Sequence, residues 1–110
     1  MALNSRRKGA RGEREAARLV SELFGVKARR AAQYCAMPEA PDVVAEIPGV
    51  YIEVKRRERL NLYAWMREVY ESCGDEAPLL LYRRNNQPWV AIILADDLPK
   101  VAAALAKKGT

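Results

Sequence analysis

The chain has 110 residues, half of them apolar or aromatic. That suits one domain with a core built without metal or disulfide staples, and it argues against global disorder. Nineteen basic residues against fourteen acidic ones give a net charge of +5, a balance that favours a polyanionic partner. Thirteen of the nineteen are arginine, whose planar fork suits phosphate. There is no histidine, and Cys35 and Cys73 are the only cysteines, so Cys/His zinc sites and His-dependent triads are excluded and any metal is expected to be held by oxygen. No apolar run approaches the ~20 residues that cross a bilayer. Nothing marks a secreted chain, and a reduced cytoplasmic protein is expected.

Residues 1–8 are polar and basic and read as a flexible arm ahead of a domain spanning 9–110. From Gly9 to about Gly25, Ala16, Ala17, Leu19, Val20, Leu23 and Phe24 recur at helical steps, with Gly25 as a stop. Residues 26–33 suit a charged strand, and 34–41, with two prolines, a loop. Residues 42–47 and 50–56 are strand-like and flank Pro48-Gly49, a strong turn signal. Leu62, Trp65, Met66, Val69 and Cys73 form the apolar stripe of a second helix that ends at Gly74. Three leucines in residues 78–82 mark a strand buried on both faces. Asn85-Asn86-Gln87-Pro88 turns the chain into a strand over 89–94, and Asp96 or Asp97 caps a final alanine-rich helix. The strand at 50–56, the helix after it and the strand at 78–82 fit a crossover between parallel strands. An α/β fold follows, with a mixed central sheet of about five strands flanked by helices.

The hairpin carries the chemistry. With a two-residue turn, Ile47 pairs with Val50, which sets Asp42 opposite Lys55 and Val44 opposite Glu53. Asp42, Glu53 and Lys55 then project from one side, while Val50, Ile52 and Val54 form the core side. Two carboxylates a few ångströms apart repel unless a cation sits between them, and a divalent ion with oxygen ligands meets that need. A lysine beside them can orient water or stabilise developing negative charge. The same spacing also suits an ordinary salt-bridged strand pair. Glu13, near the centre of the first helix's apolar stripe, points inward, where an unpaired charge is costly; a cationic site beneath it accounts for its placement. Glu15 points away from the stripe. Arg6, Arg7, Lys8, Arg11, Arg14 and Arg18 precede the acidic cluster, Lys27, Arg29 and Arg30 follow the helix, and Arg56, Arg57 and Arg59 continue from Lys55. Together they suit a phosphate-binding rim, although charge runs are often solvated faces.

Lys8-Gly9-Ala10-Arg11-Gly12-Glu13-Arg14-Glu15, then Pro41-Asp42, then Glu53-Val54-Lys55 resemble the archaeal-type Holliday junction resolvases and their phage-encoded relatives, within the PD-(D/E)XK nuclease superfamily. The likeness spans about the first half of the chain, and the later helix and two strands agree in order. It implies a homodimer that binds four-way DNA junctions and cuts two opposed strands using Mg²⁺, with Mn²⁺ as a substitute. Position by position, Glu13, Asp42 and Glu53 match the acidic, metal-holding residues and Lys55 the catalytic lysine, while Arg14 and Arg29 or Arg30 match candidate phosphate contacts. Family members commonly carry a serine before the aspartate; this chain has none between Arg30 and Asp42, where Gln33, Tyr34 and Cys35 stand instead. A nuclease for flaps, nicks or duplex DNA, or a non-catalytic nucleic-acid-binding module, remains an alternative.

Overall fold

The computed structural model describes residues 2–31 and 40–109, with side chains from Gly9 onward. Most of the expected 34–41 loop, the end of the first expected strand and Cys35 lie outside the described residues. The elements are α1 (Ala2–Phe24), β1 (Ala28–Arg30), β2 (Val43–Ala45), β3 (Val50–Arg56), α2 (Leu62–Ser72), β4 (Ala77–Arg83), β5 (Val90–Ile93), a 3₁₀ turn (Ala95–Asp97) and α3 (Leu98–Ala106). They build one five-stranded sheet in the order β1-β2-β3-β4-β5. Only β3 and β4 run parallel; the other neighbours are antiparallel. The expected crossover, β3–α2–β4, is therefore present.

Alternation along the two central strands divides the core. Ile52, Val54, Leu79 and Leu81 pack with Ala16, Ala17 and Val20 of α1 and Ala104 of α3. On the other face, Leu80 and Tyr82 pack with Trp65 and Met66 of α2, and Tyr51 packs with Val69 and Cys73. The leucine run in β4 is apolar throughout because its residues alternate between these two layers. The helix α1 begins at Ala2, ahead of the Gly9 start expected from the apolar stripe. Residues 2–8 include Leu, Arg and Lys and no proline, so helical propensity supports the extension.

The hairpin departs from the expected register. Pro48 and Gly49 do form a tight turn, with Gly49 at φ 96° and Val50 N–H donating to Ile47 O at 3.4 Å. A type II turn of this kind matches strand twist poorly, and the pairing is not carried straight from it. The ladder pairs Val43 with Ile52, so Val44, Ala45 and Glu46 occupy the stretch that Tyr51 alone spans on β3. Those residues follow β1 instead: Ala45 pairs with Ala28, and Glu46 N–H donates to Lys27 O at 3.0 Å. The slip is two residues, which preserves the faces, but it brings Asp42 toward Glu53 and not opposite Lys55.

The two-layer core makes a stability prediction. Leu80 is fully buried and Leu98 is 54% exposed. Leu80→Ala is expected to cost about 3 kcal/mol and Leu98→Ala under about 1 kcal/mol, read as urea midpoints; equal losses would contradict the burial of β4 on both faces.

Candidate active site

The strand β3 turns Tyr51, Glu53 and Lys55 toward α2. Beside them, Asp42 enters β2 with its backbone N–H donating to Ile52 O at 2.9 Å, and its Oδ2 accepts the Val54 N–H at 2.8 Å. The aspartate is thus fixed at both main chain and side chain. Its carboxyl group meets that of Glu53. Burial, followed by the charge of Asp42 and a hydrogen bond to it, pushes the Glu53 carboxyl up to about 8, with Lys55 acting in the opposite direction. At neutral pH Glu53 therefore keeps a proton, which its hydrogen bond shares with Asp42. A divalent cation bound by oxygen can take that proton's place, so the donor set fits such an ion.

Lys55 is positioned from α2. Its Nζ lies 5.7 Å from the Trp65 ring centroid and 3.7 Å from Glu68 Oε2. Trp65 is in turn tilted against Tyr82, with centroids 5.5 Å apart. The lysine side chain is 15% exposed while Glu68 is 63% exposed, so a buried stem delivers a charged tip to the rim. Below them, burial and the charges of Glu53 and Asp42 push the Tyr51 phenol up to about 12. It therefore stays neutral and closes the floor of the site with Val69 and Cys73. Glu68 and Trp65 were absent from the sequence-derived set. Their i, i+3 spacing on the crossover helix was the available signal, but only the fold shows that this face meets β3.

Glu13 does point inward, yet the cation it meets is Arg30, whose Nε donates to Oε1 at 2.8 Å. The reason is geometric: α1 covers the Ile52/Val54 face, opposite the face that carries Glu53. Among the described residues, no three Asp, Glu, Cys or His side chains gather as a group that could hold a metal. Asp42 and Glu53 come together; Glu13 does not join them. Glu15, expected to face away, instead accepts from Trp89 Nε1 at 3.2 Å and from Arg83 Nη1, tying α1 to β4 and the start of β5.

The basic residues divide into two groups. Arg14 and Arg18 of α1 and Arg29 and Arg30 of β1 line one groove of about 450 Å³, together with Ser21 and Glu22. At the other end of β3, the Arg56 stem passes Gly12, and its Nη2 donates to Asn85 Oδ1 at 3.3 Å. Arg57 is exposed and donates to the Arg56 carbonyl at 3.4 Å, and Arg11 is exposed on α1. The side chains of Arg6, Arg7 and Lys8 lie outside those described.

The family described as "Phage putative PDDEXK endonuclease" matches residues 4–110 of the chain. No curated protein matches significantly. Among solved structures, the chain is similar to Hjc of Archaeoglobus fulgidus, a Holliday junction resolvase from an archaeal hyperthermophile. That likeness has a TM-score of 0.53 at 23% identity and covers 76% of this chain and 74% of the other; it shows a shared fold. The mixed α/β sheet expected from the sequence is thus the nuclease fold.

The raised Glu53 carboxyl has a signature in the metal-free protein. The folded state keeps a proton up to about 8 that the unfolded chain, with the ordinary value of 4.5, has already lost. The folded state therefore binds more protons within that window, and the slope of stability against pH is negative there. The contribution is complete below the unfolded value and is lost as pH rises through the folded one. Urea denaturation across the window should show this decline in wild type and lose it in Glu53→Gln; parallel curves for the two would refute the shared proton.

Proposed function

Because the chain belongs to the phage PDDEXK endonuclease family, we propose that it is a structure-specific DNA endonuclease that cuts two opposed strands of a four-way junction by hydrolysing phosphodiester bonds. The observation that carries this reading is the meeting of the Asp42 and Glu53 carboxyls, with the Lys55 ammonium two residues along the same face of β3. Asp42 and Glu53 are the residues to hold Mg²⁺, with Mn²⁺ able to substitute. Such an ion polarises a phosphoryl oxygen and lowers the pKa of a bound water.

The protein's own groups do the rest. Asp42, held through Val54 N–H, fixes the position of the carboxyl pair. Lys55, steadied by Trp65 and Glu68, supplies positive charge where negative charge develops on the phosphate. Glu13, the third acidic residue of the resemblance, is paired with Arg30. With α1 on the other face of the sheet, its part is to orient Arg30 toward a DNA phosphate in the groove that Arg14 and Arg29 also line. Arg11, Arg56 and Arg57 form a second set of candidate phosphate contacts, and Arg6, Arg7 and Lys8, which precede Arg11 in the sequence, are further candidates. Among the described residues, no helix is long and apolar enough to cross a membrane, and the proposed setting is the cytoplasm.

A nuclease acting on flaps, nicks or duplex DNA shares these site residues. Incubation with Mg²⁺ and a junction, a flap and a linear duplex side by side separates the two: paired cuts confined to the junction are expected. Asp42→Asn should abolish cleavage while leaving junction binding intact or tighter, since it removes negative charge beside the phosphates. Cleavage at the wild-type rate by Asp42→Asn would mean that the site lies elsewhere.

Two opposed cuts call for two sites, and a two-fold homodimer presents them together. The apolar face of α3 is spent on the chain's own core: Val101 and Ala104 are buried. The exposed Tyr63 and Tyr70 of α2, which line a groove of about 650 Å³ with Leu94, and the nearby Leu98 are the better interface. Mixed wild-type and Asp42→Asn subunits should nick one strand without resolving the junction. A monomer by light scattering, with and without DNA, would remove the dimer.

A further inference from the structure

Lys55 pairs in register with Tyr82 on β4, and Tyr82 pairs with Val90 on β5. Paired residues share a face, so the three form one row running from the site toward the β5 edge, each about 5 Å from the last. The row ends in a cleft of about 370 Å³ lined by Leu60, Tyr82, Arg83, Arg84, Gln87, Pro88 and Val90. This volume falls within the range of small-molecule sites, about 300–1,000 Å³.

The lining has a definite chemistry. Leu60 and Val90 are 52% and 46% exposed, so two aliphatic side chains stand open to solvent on a small protein. No acid lines the cleft, while Arg84 is an exposed cation at its edge and Gln87 offers an amide. Apolar walls with an arginine and an amide suit a sugar and base with an attached phosphate better than they suit a cationic or acidic ligand. The turn that carries Arg84 and Gln87 is built to stay in place. Asn86 adopts φ 61°, and Gln87 N–H donates to Arg84 O at 3.3 Å. Asn85 N–H donates to Glu58 Oε2 at 2.9 Å, and Arg56 donates to the Asn85 side chain. Both anchors, Arg56 and Glu58, lie within three residues of Lys55, so the turn is registered to the end of the strand that carries the lysine.

We propose that this cleft is a nucleotide subsite, which takes the sugar and base of a nucleotide flanking the scissile phosphate against Leu60, Pro88 and Val90, with Arg84 on the adjoining phosphate and Gln87 at the base edge. The assignment rests on the nuclease reading. It gives the β4–β5 turn, which contributes none of the residues in the acidic site, a part in choosing where along a strand the cut falls.

Fluorescence anisotropy with a labelled four-way junction and a labelled single strand, in wild-type protein without metal, tests the subsite. Arg84→Ala should weaken binding about tenfold and make the dependence of log K on log salt shallower by about one. Val90→Asp should weaken binding comparably and, with Mg²⁺, shift or blur the cleavage position. Lys108→Ala, which removes an exposed cation just after α3, should leave both unchanged; matching melting curves establish that all three fold. If wild type binds DNA and Arg84→Ala and Val90→Asp bind with the same affinity and salt slope, the subsite is wrong and the nuclease reading stands. Equal losses in Lys108→Ala also overturn it, because only overall charge would then be at work. If wild type neither binds nor cuts any of these DNAs, the nuclease reading itself falls.

Discussion

Two carboxyl groups brought together on neighbouring strands repel once both are ionised, and the protein must answer that repulsion with a proton or a cation. Asp42 and Glu53 are in this position, and the surrounding structure keeps them there. Asp42 cannot swing away without giving up the Val54 N–H. Glu53 is carried by a strand whose opposite face is locked into the core through Ile52 and Val54. The energy that orders the two cores is thus what maintains an arrangement the carboxyls would not choose, a placement of local cost typical of functional sites.

The helix α2 links this arrangement to the parallel half of the sheet. A crossover between parallel strands needs a connecting element that packs on the sheet, and here that element covers β3 and β4 together. One helix face therefore supplies Met66 and Trp65 to the core, the Trp65 ring to Lys55 and the Glu68 carboxylate to its ammonium. Packing and electrostatics are not separate tasks for this helix. The i, i+3 spacing of Trp65 and Glu68 joins them.

Much of this was legible in the residues. Alternation fixed which side of β3 is apolar, the leucine run announced a strand covered on both faces, and the spacing of 42, 53 and 55 put two acids and a lysine on one side. The register slip was not legible. Pro48-Gly49 identifies a turn but not how many residues β2 spends before pairing begins, and pairing with β1 decided that. Because the slip is even, the face assignment survived although the opposite residues changed. Glu13 shows a different limit. Its position on the stripe correctly says that a cation must lie beneath it, but a guanidinium satisfies that need as well as a metal does, and the sequence offered no way to know that Arg30 would arrive there. Glu15 was misjudged because its partners, Arg83 and Trp89, are about seventy residues away in the chain.

Gly12 lies where the Arg56 stem crosses α1, and a β-carbon there would come within 3.2 Å of the arginine's own. A glycine inside a helix costs roughly 0.5–1 kcal/mol relative to alanine, so the position carries a standing penalty that local propensity alone would remove. What the penalty secures is clearance. Arg56 directly follows Lys55, and a bulkier residue on the helix would press on the strand at the point where the lysine leaves it. Selection for a stiffer helix and selection for an undisturbed strand end therefore pull this one position in opposite directions, and the glycine records which of them prevailed.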